Sequence, residues 1–160
     1  MTTAILELLE NDAKMSVEQI ASSLNVSEKE VSAAIAEYEE KDIIAGYKTL
    51  IDWEKVGDTG VTALIEVKVI PQRGQGFERI AERISQYDEV DSVYLMSGGF
   101  DIAVTVRGKS LREVACFVSE KLAPLEYVTS TATHFVLKKF KDKGIMYTNT
   151  EKNQERGHAF

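Results

Sequence analysis

Cysteine, proline and histidine are scarce in this chain: one Cys, two Pro and two His among 160 residues. The lone thiol, Cys116, forms no intramolecular disulfide, and no Cys/His cluster has the spacing of a zinc site, so no metal or other cofactor is expected. Neither His134, in an extended segment, nor His158, in a polar tail, has a serine or cysteine partner placed for nucleophilic catalysis, which argues against an enzyme. Long apolar runs are missing too, and nothing approaches the ~20 residues of a membrane-spanning helix. The opening stretch MTTAILELLENDAKMS lacks the basic start of a signal peptide, so a cytoplasmic protein is expected. Positive charge is missing where it matters most. Residues 1–57 carry five lysines against twelve carboxylates, and the whole net charge of −7 sits there.

What is present is ordinary globular material, 44% hydrophobic and 28% charged, which excludes wholesale disorder. Residues 2–10 place Ile5, Leu6, Leu8 and Leu9 on a helical stripe. Ser16 and Gln19 form a capping pattern ahead of Val17, Ile20, Ala21 and Leu24 at helical spacing. After Asn25-Val26, a second capping box (Ser27 to Glu30) opens a helix that buries Val31, Ile35 and Tyr38. Two capped helices joined by a short connector make a helix-turn-helix. The following stretch, Lys41 to Asp52, reads as a turn and a β-rich segment, which suggests a winged variant.

The second part alternates differently. Val61, Ala63, Ile65, Val67 and Val69 mark a strand ended by Pro71, and Gly74–Tyr87 a helix with Phe77, Ile80, Ala81 and Ile84 on one face. Val90–Ser97 and Phe100–Arg107 are strands around a Gly98-Gly99 turn. Ser110 to Glu113 caps a helix with Leu111, Val114, Ala115, Val118 and Leu122 inward, and Tyr127–Lys138 is a long last strand. The order βαββαβ predicts a ferredoxin-like antiparallel sheet with both helices on one face. The other face then needs cover, which a second subunit supplies. The predicted fold is therefore α+β, divided into a winged helix-turn-helix (1–45), a linker strand (46–58), a ferredoxin-like dimerisation domain (59–140), for which the resemblance described next implies ligand sensing, and a polar C-terminal tail (141–160).

This combination resembles the Lrp/AsnC, or feast/famine, family of transcription regulators over roughly residues 2–140. The stretch Ile44-Ala45-Gly46-Tyr47-Lys48-Thr49-Leu50-Ile51-Asp52 with Gly57 is similar to the family's linker motif, and Ser97-Gly98-Gly99-Phe100-Asp101 to a hairpin of its sensing domain. The resemblance implies a homodimer, open to higher assembly, that binds double-stranded DNA and a small-molecule effector, an amino acid. It implies an effector site at the Gly98-Gly99 turn. There, bare amides suit a carboxylate and Asp101 suits an ammonium group, with Met96 and Phe100 as apolar neighbours and Thr131 and Thr133 as neutral hydrogen-bonding groups.

Departures from the family pattern stand in the third helix. Ala33 and Ala34 occupy positions where relatives usually carry arginine, and Asp42 stands in place of a usual glycine. Phosphate neutralisation drives DNA affinity, so contact is expected from the helix amino-terminus, Ser27, Lys29, Ser32 and the wing Lys48. The alternative reading is a small-molecule sensor or heteromeric partner that has lost DNA binding.

Overall fold

Two serine caps organise the first part of the chain. In the computed structural model, which describes residues 2–70 and 77–147, three helices form there: α1 (Thr2–Asn11), α2 (Val17–Leu24) and α3 (Glu28–Glu40). The Ser16 hydroxyl accepts the Gln19 amide and the Gln19 side chain accepts the Ser16 amide, so two orphan donors of α2 are satisfied reciprocally. Asn25 then turns in the left-handed region (φ 54°), a conformation Asn tolerates, and ends α2. Ile5, Ile20, Ala21, Val31 and Tyr38 bury a small core of their own.

The chain divides into two units, Met1–Leu50 and Ile51–Phe160. Between 43 and 52 no ladder forms, and the linker strand expected over 46–58 is not a strand. Its second half is instead a single helical turn, α4 (Trp53–Val56). The cause is capping chemistry: the Asp52 carboxylate accepts the Lys55 amide, and Gly57 closes the turn at φ 84°. The Asp…Gly spacing is thus a pair of helix caps.

The second unit contains β1 (Val61–Val69), α5 (Glu78–Ser85), β2 (Val90–Leu95), β3 (Ile102–Gly108), α6 (Leu111–Phe117) and β4 (Val128–Phe135). The sheet order is β2-β3-β1-β4, antiparallel throughout, as the ferredoxin-like reading requires. Ala63, Ile65, Val67 and Val69 point under the helices and pack with Val104, Val106, Ile84, Val114, Phe117 and Leu122. Leu64, Glu66 and Lys68 occupy the opposite face, one residue out of phase.

Three expectations need correction, and a fourth extends beyond the described residues. The helix read from Gly74 is described only from Glu78, and both Pro71 and Gly74 lie outside the described residues. In α6, Phe117 is buried while Leu111 and Ala115 are exposed. A wider turn over Val118–Leu122, with the Ala123 amide bonded to the Val118 carbonyl, rotates the buried face so that Val114, Phe117 and Leu122 share it. The last strand stops at Phe135, because it pairs with Ala63 and the Val136 amide uses up the Thr62 carbonyl near the start of β1. The start of the supposed tail is ordered as a hairpin, β5 (Lys141–Asp142) and β6 (Ile145–Met146). Residues 148–160 of that tail lie outside the described residues.

Candidate functional site

The start of α3 is fixed by a closed ring of hydrogen bonds. The Ser27 amide donates to Glu30 Oε2 (2.9 Å), the Ser27 hydroxyl donates to the same oxygen (2.7 Å), and the Glu30 amide donates to Ser27 Oγ (3.3 Å). The Ser27 amide, and after it the hydroxyl, hold the Glu30 carboxyl below the usual carboxylate range. Ser27 is therefore engaged by its own helix. Lys29 and Ser32 are exposed, three positions apart on one side of α3. Lys48 is exposed on irregular backbone. Lys41 is paired with Glu37 at 2.5 Å, a bond that raises its pKa above the ordinary lysine range. Carboxylates outnumber lysines on this helix, which carries Glu28, Glu30, Glu37, Glu39 and Glu40.

The second candidate site is the β2–β3 connection. Leu95 pairs with Ile102, and the Met96 amide donates to the Asp101 carbonyl (2.8 Å), closing a loop over 97–100. Gly98 has φ +157°, which L side chains rarely adopt, whereas Gly99 needs no such freedom. A Cβ at either glycine would meet nothing within 4 Å, so there is open space beside the glycines.

Asp101 is locked to β1 from both ends. Its amide donates to the Val67 carbonyl (3.1 Å), and its Oδ2 accepts the Val69 amide (2.9 Å). Phe100 is half-buried and Met96 is exposed beside it. Thr131 and Thr133 do not join this group. They stand opposite Val67 and Ile65, on the face the helices cover, and one strand lies between them and Asp101. That separation is about two strand spacings, ~9.5 Å. Thr129 lies where β4 bulges, and its hydroxyl donates to the Lys68 carbonyl (3.1 Å).

A third feature was not legible as a site. A cleft lined by Trp53, Asp58, Thr62, Arg107, Lys138 and Tyr147, among others, lies where α4 meets the sheet. Arg107 Nη2 pairs with Asp58 Oδ2 at 2.7 Å and its guanidinium lies 4.7 Å from the Trp53 ring centre. The only sequence signal was Asp58 followed by Gly60, whose amide donates to Asp58 Oδ1 (2.8 Å). On the open face, His134 Nε2 lies 3.3 Å from Glu66 Oε1, exposed rather than buried in the sheet. Among the described residues no group of three or more His, Cys, Asp or Glu side chains could hold a metal ion, and no helix is long and apolar enough to cross a membrane.

Comparison with known proteins matches residues 2–45 to a winged helix-turn-helix DNA-binding domain and residues 62–146 to an Lrp/AsnC ligand binding domain. An uncharacterised HTH-type transcriptional regulator of Bacillus subtilis, YugG, is 48% identical over 146 residues, covering 91% of this chain and 88% of that one. A proline dehydrogenase transcriptional activator of Rhizobium radiobacter is 27% identical, covering 88% and 90%. In three dimensions the chain resembles the Neisseria meningitidis transcriptional regulator NMB0573, solved as an L-Met complex. The TM-score is 0.69 at 20% identity, with 88% of this chain and 90% of that one covered.

Proposed function

Since the chain belongs to the Lrp/AsnC family of DNA-binding transcriptional regulators, we propose that its effector is an uncharged α-amino acid held at the β2–β3 loop, with Asp101 as the ammonium acceptor. The family is one of regulators rather than enzymes, and the chain carries both a DNA-binding and a ligand-binding domain. The observation that carries the finer reading is the position of Asp101. The Val69 amide fixes one carboxylate oxygen, which holds Asp101 at the end of the Gly98-Gly99 loop, where there is open space beside the glycines. A zwitterion needs an acceptor for its ammonium and bare amides for its carboxylate, and this loop supplies both. Met96 and Phe100 then favour an uncharged side chain. Thr131 and Thr133 have at most an indirect part, through the strand between them and Asp101. The L-Met complex of the Neisseria relative supports an amino acid as the ligand class.

In this reading Lys29, Ser32 and Lys48 contact DNA phosphates, while Ser27 acts by holding α3 in shape. The protein works in the cytoplasm as a dimer built on the open sheet face, where Leu64 and Tyr94 are exposed. Calorimetric titration of the full chain with each of the twenty standard amino acids tests the site. One or more uncharged amino acids should bind, and Asp101→Asn should weaken them about ten- to a hundredfold. Equal binding by parent and variant would place the site elsewhere.

A further inference from the structure

The helix-turn-helix unit is short of cations, yet the ligand-binding domain ends in a segment rich in them. Residues 138–146 hold Lys138, Lys139, Lys141 and Lys143 against the single acid Asp142. All four lysines are exposed, as are Phe140, Ile145 and Met146 between and beyond them. The segment is built rather than loose. Lys141 pairs with Met146 and Asp142 with Ile145, and the Tyr147 amide donates to the Phe140 carbonyl at 3.0 Å. Lys143 and Gly144 form the turn, both at positive φ (46° and 84°), the signature of a tight hairpin.

The tip is informative. Asn or Gly sits at such a φ more comfortably than lysine, whose Cβ makes the left-handed region unfavourable. A lysine there places a cation at the most projecting point of the hairpin against the local backbone preference. Lys138 and Lys139 lie against the rings of Phe140 and Tyr147 (5.2 and 5.9 Å), which orders their stems. Lys139 also reaches Asp142 at 3.4 Å, so Lys141 and Lys143 are the cations held neither by that acid nor against the two rings.

We propose that the 138–146 hairpin is a second DNA-contacting surface, binding the phosphate backbone of duplex DNA without reading its sequence. The inference rests on the DNA-binding reading of the family and adds a surface outside the helix-turn-helix. Residues 1–57, at net −7, repel a polyanion, so phosphate neutralisation needs cations in addition to Lys29 and Lys48, and this hairpin carries a row of them. Interleaved aromatic and aliphatic side chains suit the sugar edges between phosphates. The other occupant with matching charge is the acidic helix-turn-helix unit of a second copy. DNA is favoured because the chain's regulatory role already requires a phosphate-binding surface.

The test uses the full chain and a labelled mixed-sequence duplex of about 40 base pairs, with affinity followed by anisotropy across a salt series. The variants are Lys141→Gln with Lys143→Asn together, Lys29→Glu, and Lys109→Gln as an exposed lysine elsewhere in the same unit. Lys143→Asn suits the turn, so the thermal midpoint of the double variant should not fall. The double variant should lose about 1.8 from the slope of log affinity against log salt for each subunit engaged, and Lys109→Gln none. A double variant with the parent's slope and affinity, alongside an impaired Lys29→Glu, would overturn the hairpin surface and leave the DNA reading intact. Absence of any complex with the parent at low salt would overturn both. A double variant that sediments as a smaller species without DNA would overturn the proposal in favour of contact between copies.

Discussion

Asp101 accepts the Val69 backbone amide through Oδ2 at 2.9 Å while donating its own amide to the Val67 carbonyl. The side chain therefore closes the end of the β1–β3 ladder, a structural duty separate from its proposed role as ammonium acceptor. Asp101→Ala should strand the Val69 amide and lower stability by about 1–3 kcal/mol, in addition to weakening effector binding. Asp101→Asn keeps an acceptor for Val69 and removes only the charge. Denaturant melts should separate the two variants, and calorimetry should not: both should bind weakly.

Ser27→Ala should cost about 1 kcal/mol through the lost cap of α3. Its salt slope for DNA should match the parent's if the hydroxyl, held by Glu30, serves the cap rather than a phosphate. Urea melts and the salt series check the two halves of this statement.

The Glu30 cap is sensitive to acid. The folded-state pKa is lowered, so the stability it contributes is present above the ordinary glutamate range and is lost as pH falls through the folded value. Glu30→Gln cannot titrate. The gap in melting temperature between parent and variant should be widest near neutral pH and should close below the usual glutamate range. A gap independent of pH would contradict the assignment.

Leu64 lies on central strand β1, on the face away from the helices, 38% exposed. Leu64→Asp places a charge at the middle of the face on which the subunits are proposed to pair, and burial of an unpaired charge is strongly unfavourable. Sedimentation of the full chain should move from dimer or larger toward monomer. Unchanged assembly would mean that this face is not the contact.

Wherever local chemistry decides the outcome, the sequence was a good guide. The Ser16 and Ser27 boxes and the alternation from Val61 to Val69 all appear as read, because caps and period-2 burial depend on near neighbours alone. The segment from Asp52 to Gly57 misled because an acid and a glycine five apart suit a strand end as readily as a one-turn helix. Lys143-Gly144 was a turn signal hidden in a polar run. For the effector loop, the glycines and Asp101 were visible, but the bond from Val69 is not, since it joins residues 32 apart in sequence. Thr131 and Thr133 were expected at the loop as neutral hydrogen-bonding groups. Their face is set by the register against Val67 and Ile65, which no single strand reveals.

The central claim is that an amino acid held by Asp101 changes how this regulator binds DNA. Its most direct test is an anisotropy titration of the duplex upstream of the protein's own gene, at physiological salt, with and without each amino acid that calorimetry identifies. For the parent, the apparent affinity should shift in the presence of the bound amino acid; for Asp101→Asn, DNA affinity without amino acid should be retained and the shift lost. An amino-acid-dependent shift that survives intact in Asp101→Asn would contradict the account.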